Sequence, residues 1–173
     1  MRILLHLQQG EREARATGRI LSLCETLMWR QAGRLLTRRE EAVARAALPE
    51  LATLAERHSL DSHFGVARGL EGICLARHGD LGLAEERLRH GLSLCERSNF
   101  GQYIPWFTGV LGSTIARAGR SLEAVAMLDA YCASDRNPET WCTAELWRHR
   151  AIVEHFAGAT DASIAYLNRA GEM

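Results

Sequence analysis

The sequence predicts an all-α chain, a superhelical array of antiparallel helix pairs with a period of about 40 residues. Three observations carry that expectation. Near-copies of one glycine-centred stretch, ARHGD around Gly79, ARAGR around Gly119 and HFAGA around Gly158, stand 40 and 39 residues apart. Counted from those glycines, Gly72, Gly112 and Ala151 lie seven before, Ala84, Ala124 and Ser163 five after, and Leu88, Leu128 and Leu167 nine after. Between them apolar residues recur at helical spacing, as in Val66, Leu70, Ile73 and Cys74 or Leu81, Ala84, Leu88, Leu92 and Cys95, with no sustained period-two alternation.

A single domain of residues 1–173 is expected, with units at roughly 20–60, 62–98, 102–135 and 138–171. The first unit centres on Gly33 in RQAGR, a looser copy. The 46-residue interval from Gly33 to Gly79 gives it about six extra residues, and Pro49 in AALPELATLAERH marks a kink or a helix start. In the second, Gly79 ends one helix in the left-handed conformation, and the small residue seven before it admits a close neighbour. In the third, Pro105 falls in the first turn of a helix and Ser121 stands before the next. In the fourth, Asn137 is the candidate N-cap with Pro138 at the first helical position, and Thr160 or Asp161 opens the last helix.

These columns resemble the tetratricopeptide repeat. Gly72, Gly79, Ala84 and Leu88 fall at that family's eighth position, inter-helix turn, twentieth and twenty-fourth positions, as do Gly112, Gly119, Ala124 and Leu128. The period is longer than the family's usual figure of about 34, and its terminal proline is missing, as longer helices would explain. From about residue 20 to 173, the order LAERHSL, GLEGICLARHGD, IPWFTGVLGSTIARAGR and ETWCTAELWRHRA looks like the C-terminal repeats of bacterial multidomain signalling proteins and transcriptional regulators. Glu139, Trp141, Ala144, Glu145, Leu146, Arg148 and Arg150 form the most distinctive run, followed by Ala151 where a glycine is usual. The resemblance implies relatives in which such repeats are joined to an AAA-type NTPase and to a winged-helix or nucleotide-cyclase domain.

Composition and missing motifs narrow the function. Lys plus Arg and Asp plus Glu number 21 each, and every basic residue is arginine, so no net field draws the chain to nucleic acid or an anionic membrane. No apolar run approaches about 18 residues, and MRILLHLQQGERE has too short an apolar stretch for a signal peptide, so a cytoplasmic protein is expected. A GxxxxGK[ST] loop needs a lysine that the chain lacks, and GxGxxG and GxSxG are absent. Cys24, Cys74, Cys95, Cys132 and Cys142 read as reduced, buried thiols. Among seven histidines there is no HxxxH; His58 and His63 straddle a turn, and His149 and His155 face different ways. Glu40–Glu41 and Glu85–Glu86, beside Arg38, Arg39, Arg87 and Arg89, read as salt-bridged surface. No enzyme, metal or cofactor is expected.

What remains is surface for a partner. The first helix of each pair should line a concave side, and positions flanking the small residue place Arg77, Trp106, Ser113, Arg117, Glu145 and Arg148 in the groove. Three arginines beside a tryptophan can clamp a carboxylate or an extended acidic peptide. In the competing reading, Trp106 and Trp147 fill core and the arginines are solvated. The expected role is thus a non-catalytic interaction module for a protein or peptide; the alternative is a ligand sensor acting on an attached NTPase or DNA-binding domain. In DASIAYLNRAGEM, Leu167 and Ile164 are expected to cover the preceding pair and leave other apolar surface, including Tyr166, outward. The C-terminal edge would then form a two-fold homodimer.

Overall fold

The computed structural model describes residues 2–37, 40–134 and 140–173, with side chains from His6 onward in those ranges. Among the described residues every regular element is helical. The α-helices are α1 (Arg2–Thr17), α2 (Ile20–Leu36), α3 (Glu41–Arg57), α4 (Asp61–His78), α5 (Leu81–Arg97), α6 (Ile104–Arg117), α7 (Ser121–Cys132), α8 (Thr143–Phe156) and α9 (Thr160–Gly171). A 3₁₀ turn, Gly101–Tyr103, leads into α6, whose first turn holds Pro105. Each of the four expected intervals holds two helices, with α1 in front. Asn137, Pro138 and Glu139 lie outside the described residues.

One turn geometry recurs. Gly79, Gly119 and Gly158 have φ of 90°, 86° and 81°. In each case the next residue's N–H reaches back to close the helix end: Asp80 to the Leu75 carbonyl, Arg120 to Ile115 and Ala159 to Glu154, at 3.1, 3.1 and 2.9 Å. The returns to the following pair use the same closure without glycine. Ser59 and Asn99 both have φ of 53°, with Leu60 and Phe100 donating to Ala55 and Cys95. Ser59, Gly79, Asn99 and Gly119 therefore stand 20 residues apart, one per helix.

Three local expectations are corrected. Gly33 is not a turn: α2 runs through it to Leu36, and the left-handed glycine at the front of the chain is Gly18, with φ of 65°. Of the two alternatives at Pro49 the helix start is the one corrected, since α3 runs through the proline. Ser121 and Thr160 are the first residues of α7 and α9 and make no side-chain cap; among the second helices, Asp80 caps α5 by accepting from the Leu83 N–H at 3.3 Å.

Each helix packs on the next, and α2, α4, α6 and α8 also touch one another as an inner row. Burial follows this division. Along α6 every residue from Pro105 to Ala116 is buried, whereas α7 buries only Ala124 and Leu128 and α9 buries none. The small columns lie at the contacts they were expected to make. A Cβ on Gly72 would stand 2.7 Å from Leu88 Cγ and 3.1 Å from the Ala84 carbonyl, and one on Gly112 would stand 2.9 Å from Leu128 Cδ1. In the last pair Ser163 Oγ donates to the Ala151 carbonyl at 2.8 Å. Cys24, Cys74, Cys95 and Cys142 are buried and Cys132 half-buried, all unpaired; burial pushes the Cys74 thiol up to about 11 and Cys95 to about 12. No helix among the described residues is long and apolar enough to cross a membrane.

Candidate functional site

Between α4, α6 and α8 lies a cavity of about 370 Å³, with Glu41 from the first turn of α3 on its wall. Its lining follows the repeat. Ile73, Ser113 and Ile152 each come directly after the small column residue, and Arg77 and Arg117 each stand two before a turn glycine. Four of the expected groove residues line it: Arg77, Ser113, Arg117 and Arg148.

The two repeated arginines share a task. Arg77 Nη2 donates to the Leu35 carbonyl in the last turn of α2 at 2.8 Å, and Arg117 Nη1 donates to the Ala76 carbonyl in the last turn of α4 at 2.7 Å. Each guanidinium thus satisfies a helix-end carbonyl of the preceding inner helix, at the end where a cation is favoured. Their charges are balanced differently. Arg77 also meets Glu41 at 2.9 Å, whereas among the described residues Arg117 has no carboxylate within 4 Å.

A polar chain crosses the far wall. Arg148 Nη2 donates to Glu145 Oε2 and to His149 Nε2, both at 2.7 Å. Ser113 Oγ donates its one hydrogen to the Val110 carbonyl at 3.0 Å and therefore accepts from His149 Nδ1 at 2.8 Å. The chain runs from Arg148 through the His149 ring to Ser113 and so links α8 to α6 across the cavity.

Trp106 and Glu145 stand elsewhere. Both lie six residues before the small column, where the second pair has Val66. Trp106 and Val66 are wholly buried, so Trp106 belongs to the core beneath the groove and stacks on Phe107 with centroids 6.2 Å apart. Glu145 is half-buried and does not line the cavity; it positions Arg148. Trp147, also buried, packs on Tyr166 and under Arg169, with 5.8 Å between ring centroids and 3.8 Å to the cation. The expected division of α9 is reversed: Tyr166 stacks inward on Trp147, and Ile164 and Leu167 are half exposed.

Sequence reasoning missed His149 and Glu41. The first left a signal, since it stands two before the small column, where the other pairs have Leu70 and Val110. Glu41 left none: it joins the site from α3, within a carboxylate pair that reads as surface. The salt-bridged reading holds for Glu85, on Arg89 at 2.9 Å, whereas Glu40 meets the buried Arg34 at 3.1 Å, and Arg38 and Arg39 lie outside the described residues. Among the described residues no three His, Cys, Asp or Glu side chains gather where they could hold a metal ion. No protein-family model, curated protein or solved structure matches this chain.

Proposed function

We propose that this chain is a non-catalytic, tetratricopeptide-like solenoid of helix pairs, related to bacterial transcriptional and signalling regulators, that holds a protein partner through an acidic peptide laid in its inner groove. The recurrence of the small columns at equivalent helix contacts supports the repeat reading. The observation that carries the function is Arg117. Its neighbours Arg77 and Arg148 each face a carboxylate of this chain, but Arg117 lines the cavity with only the Ala76 carbonyl as hydrogen-bond partner among the described residues. Its other N–H groups remain for an Asp or Glu side chain of the peptide, which a guanidinium can hold bidentately.

Fluorescence anisotropy with a labelled peptide rich in Asp and Glu tests this. Saturable binding that weakens with added salt is expected, and Arg117→Ala should lower affinity about tenfold or more, the weight of one charge-assisted contact. An unchanged affinity in that variant contradicts the reading.

One observation favours a second reading, a sensor that takes a small anion in the same groove and biases an attached NTPase or DNA-binding domain: a cavity of about 370 Å³ falls within the range of small-molecule sites. A thermal-shift comparison of small carboxylates with acidic peptides separates the two. The proposal includes a two-fold homodimer at the C-terminal edge, now with Ile164 and Leu167 facing the second copy. Sedimentation at micromolar concentration should show a dimer that Leu167→Glu converts to monomer; a monomeric parent removes the dimer and leaves the groove standing.

A further inference from the structure

The first and fourth helix pairs are not neighbours in the array, yet they meet through aromatic rings. Trp29 of α2 packs on Trp141, in the turn before α8, with ring centroids 5.4 Å apart and planes inclined at 52°. Both also rest on Tyr103, at 5.6 and 5.3 Å, and Trp141 lies 6.2 Å from Trp106. Tyr103 and Trp106 are wholly buried and make a fixed bed, whereas Trp29 is half-buried and Trp141 is 43% exposed. Among the described residues no hydrogen bond or ion pair joins α2 to Thr140, Trp141 or Cys142, so the tie rests on ring contact.

The groove cavity is bounded by the same two pairs. Glu41, at the start of α3, stands on its wall with Arg148, His149 and Ile152 of α8. Its width therefore follows the separation of the first pair from the fourth, which a solenoid sets through small rotations spread over its interfaces. At about 370 Å³ the cavity matches a small molecule. An extended peptide, rising about 3.3 Å per residue, needs the end pairs to part. We propose, on the peptide reading of the groove, that Trp29 and Trp141 form a clasp that holds the array closed and opens when the peptide enters. Parting Trp29 from Trp141 and Tyr103 forfeits ring contacts, a cost that lowers the apparent affinity of every bound peptide. Removing the clasp should therefore tighten binding, the opposite of what losing a binding residue does.

Trp29→Ala and Trp141→Ala test the clasp in two ways. Without peptide, each folded variant should show a larger radius of gyration than the parent in small-angle X-ray scattering. With the labelled peptide rich in Asp and Glu, each should bind about two- to tenfold more tightly, the weight of an aromatic pair. Trp141→Phe keeps a ring in the seat and should stay near the parent in both measurements. A radius unchanged in both alanine variants overturns the clasp. Binding by the parent that neither variant improves also overturns it, and leaves peptide capture at Arg117 standing. No binding by the parent or by either variant is instead a failure of the peptide reading, and the clasp falls with it.

Discussion

Gly91→Ala should cost about 3 kcal/mol or more of folding stability, read as a lower denaturant midpoint. The added methyl would stand 2.7 Å from both the Gly65 carbonyl oxygen and the Gly69 nitrogen. These are backbone atoms of α4, which cannot rotate aside as a side chain does. α4 and α5 meet here through three glycines, for a Cβ on Gly65 would likewise stand 2.8 Å from Leu94 Cβ and 3.0 Å from the Gly91 carbonyl. Alanine is the better helix former, so its usual gain of roughly 1 kcal/mol over glycine works against the expected loss and makes the test conservative. Gly82→Ala on the same helix, where nothing lies within 4 Å, is the control and should leave stability unchanged or raise it. A parent-like midpoint for Gly91→Ala would mean that the helices are not this close.

Arg150→Leu should destabilise by about 3–5 kcal/mol, because it strands a buried carboxylate. Arg150 and Glu154 are 4% and 6% exposed, and Nε donates to Glu154 Oε1 at 2.7 Å. The same guanidinium meets Asp129 at 2.8 Å, donates to the Val125 carbonyl and lies 5.2 Å from the Tyr166 ring centroid. It thereby joins α7, α8 and α9 at one point. Burial opposes its charge, but the hydrogen bond and attraction from Glu154 prevail and hold its pKa above the ordinary arginine value. Pairing the change with Glu154→Leu removes both charges and should recover most of the loss in chemical melts.

Small residues at a fixed interval were legible because backbone approach tolerates little else: Gly72 and Gly112 lie against the side chains of Leu88 and Leu128. The turn at Gly18 is not legible and Gly33 mimics one, since a lone glycine looks alike in sequence inside a helix and after it. Ser59 and Asn99 escaped for the opposite reason, because nothing in a serine or asparagine announces a positive φ that neighbouring hydrogen bonds enforce. In the groove, Arg77 and Arg117 were placed by register, but their bonds to Leu35 and Ala76 depend on where the preceding helix ends in space. Trp106 was misplaced because its column holds Val66 in one pair and Glu145 in another, so residue type there does not report facing.

The most direct measurement of peptide capture in the inner groove is the side-chain Nε–Hε spectrum of the arginines, followed as an acidic peptide is added to the unmodified protein. Shifts should concentrate on Arg117, with smaller changes at Arg77 and Arg148, whose N–H groups already serve Glu41 and Glu145. Arg15, paired with Glu50 across α1 and α3, should stay where it is. Shifts spread evenly over the arginines, or confined to Arg15 and others outside the groove with Arg117 unmoved, would contradict binding there.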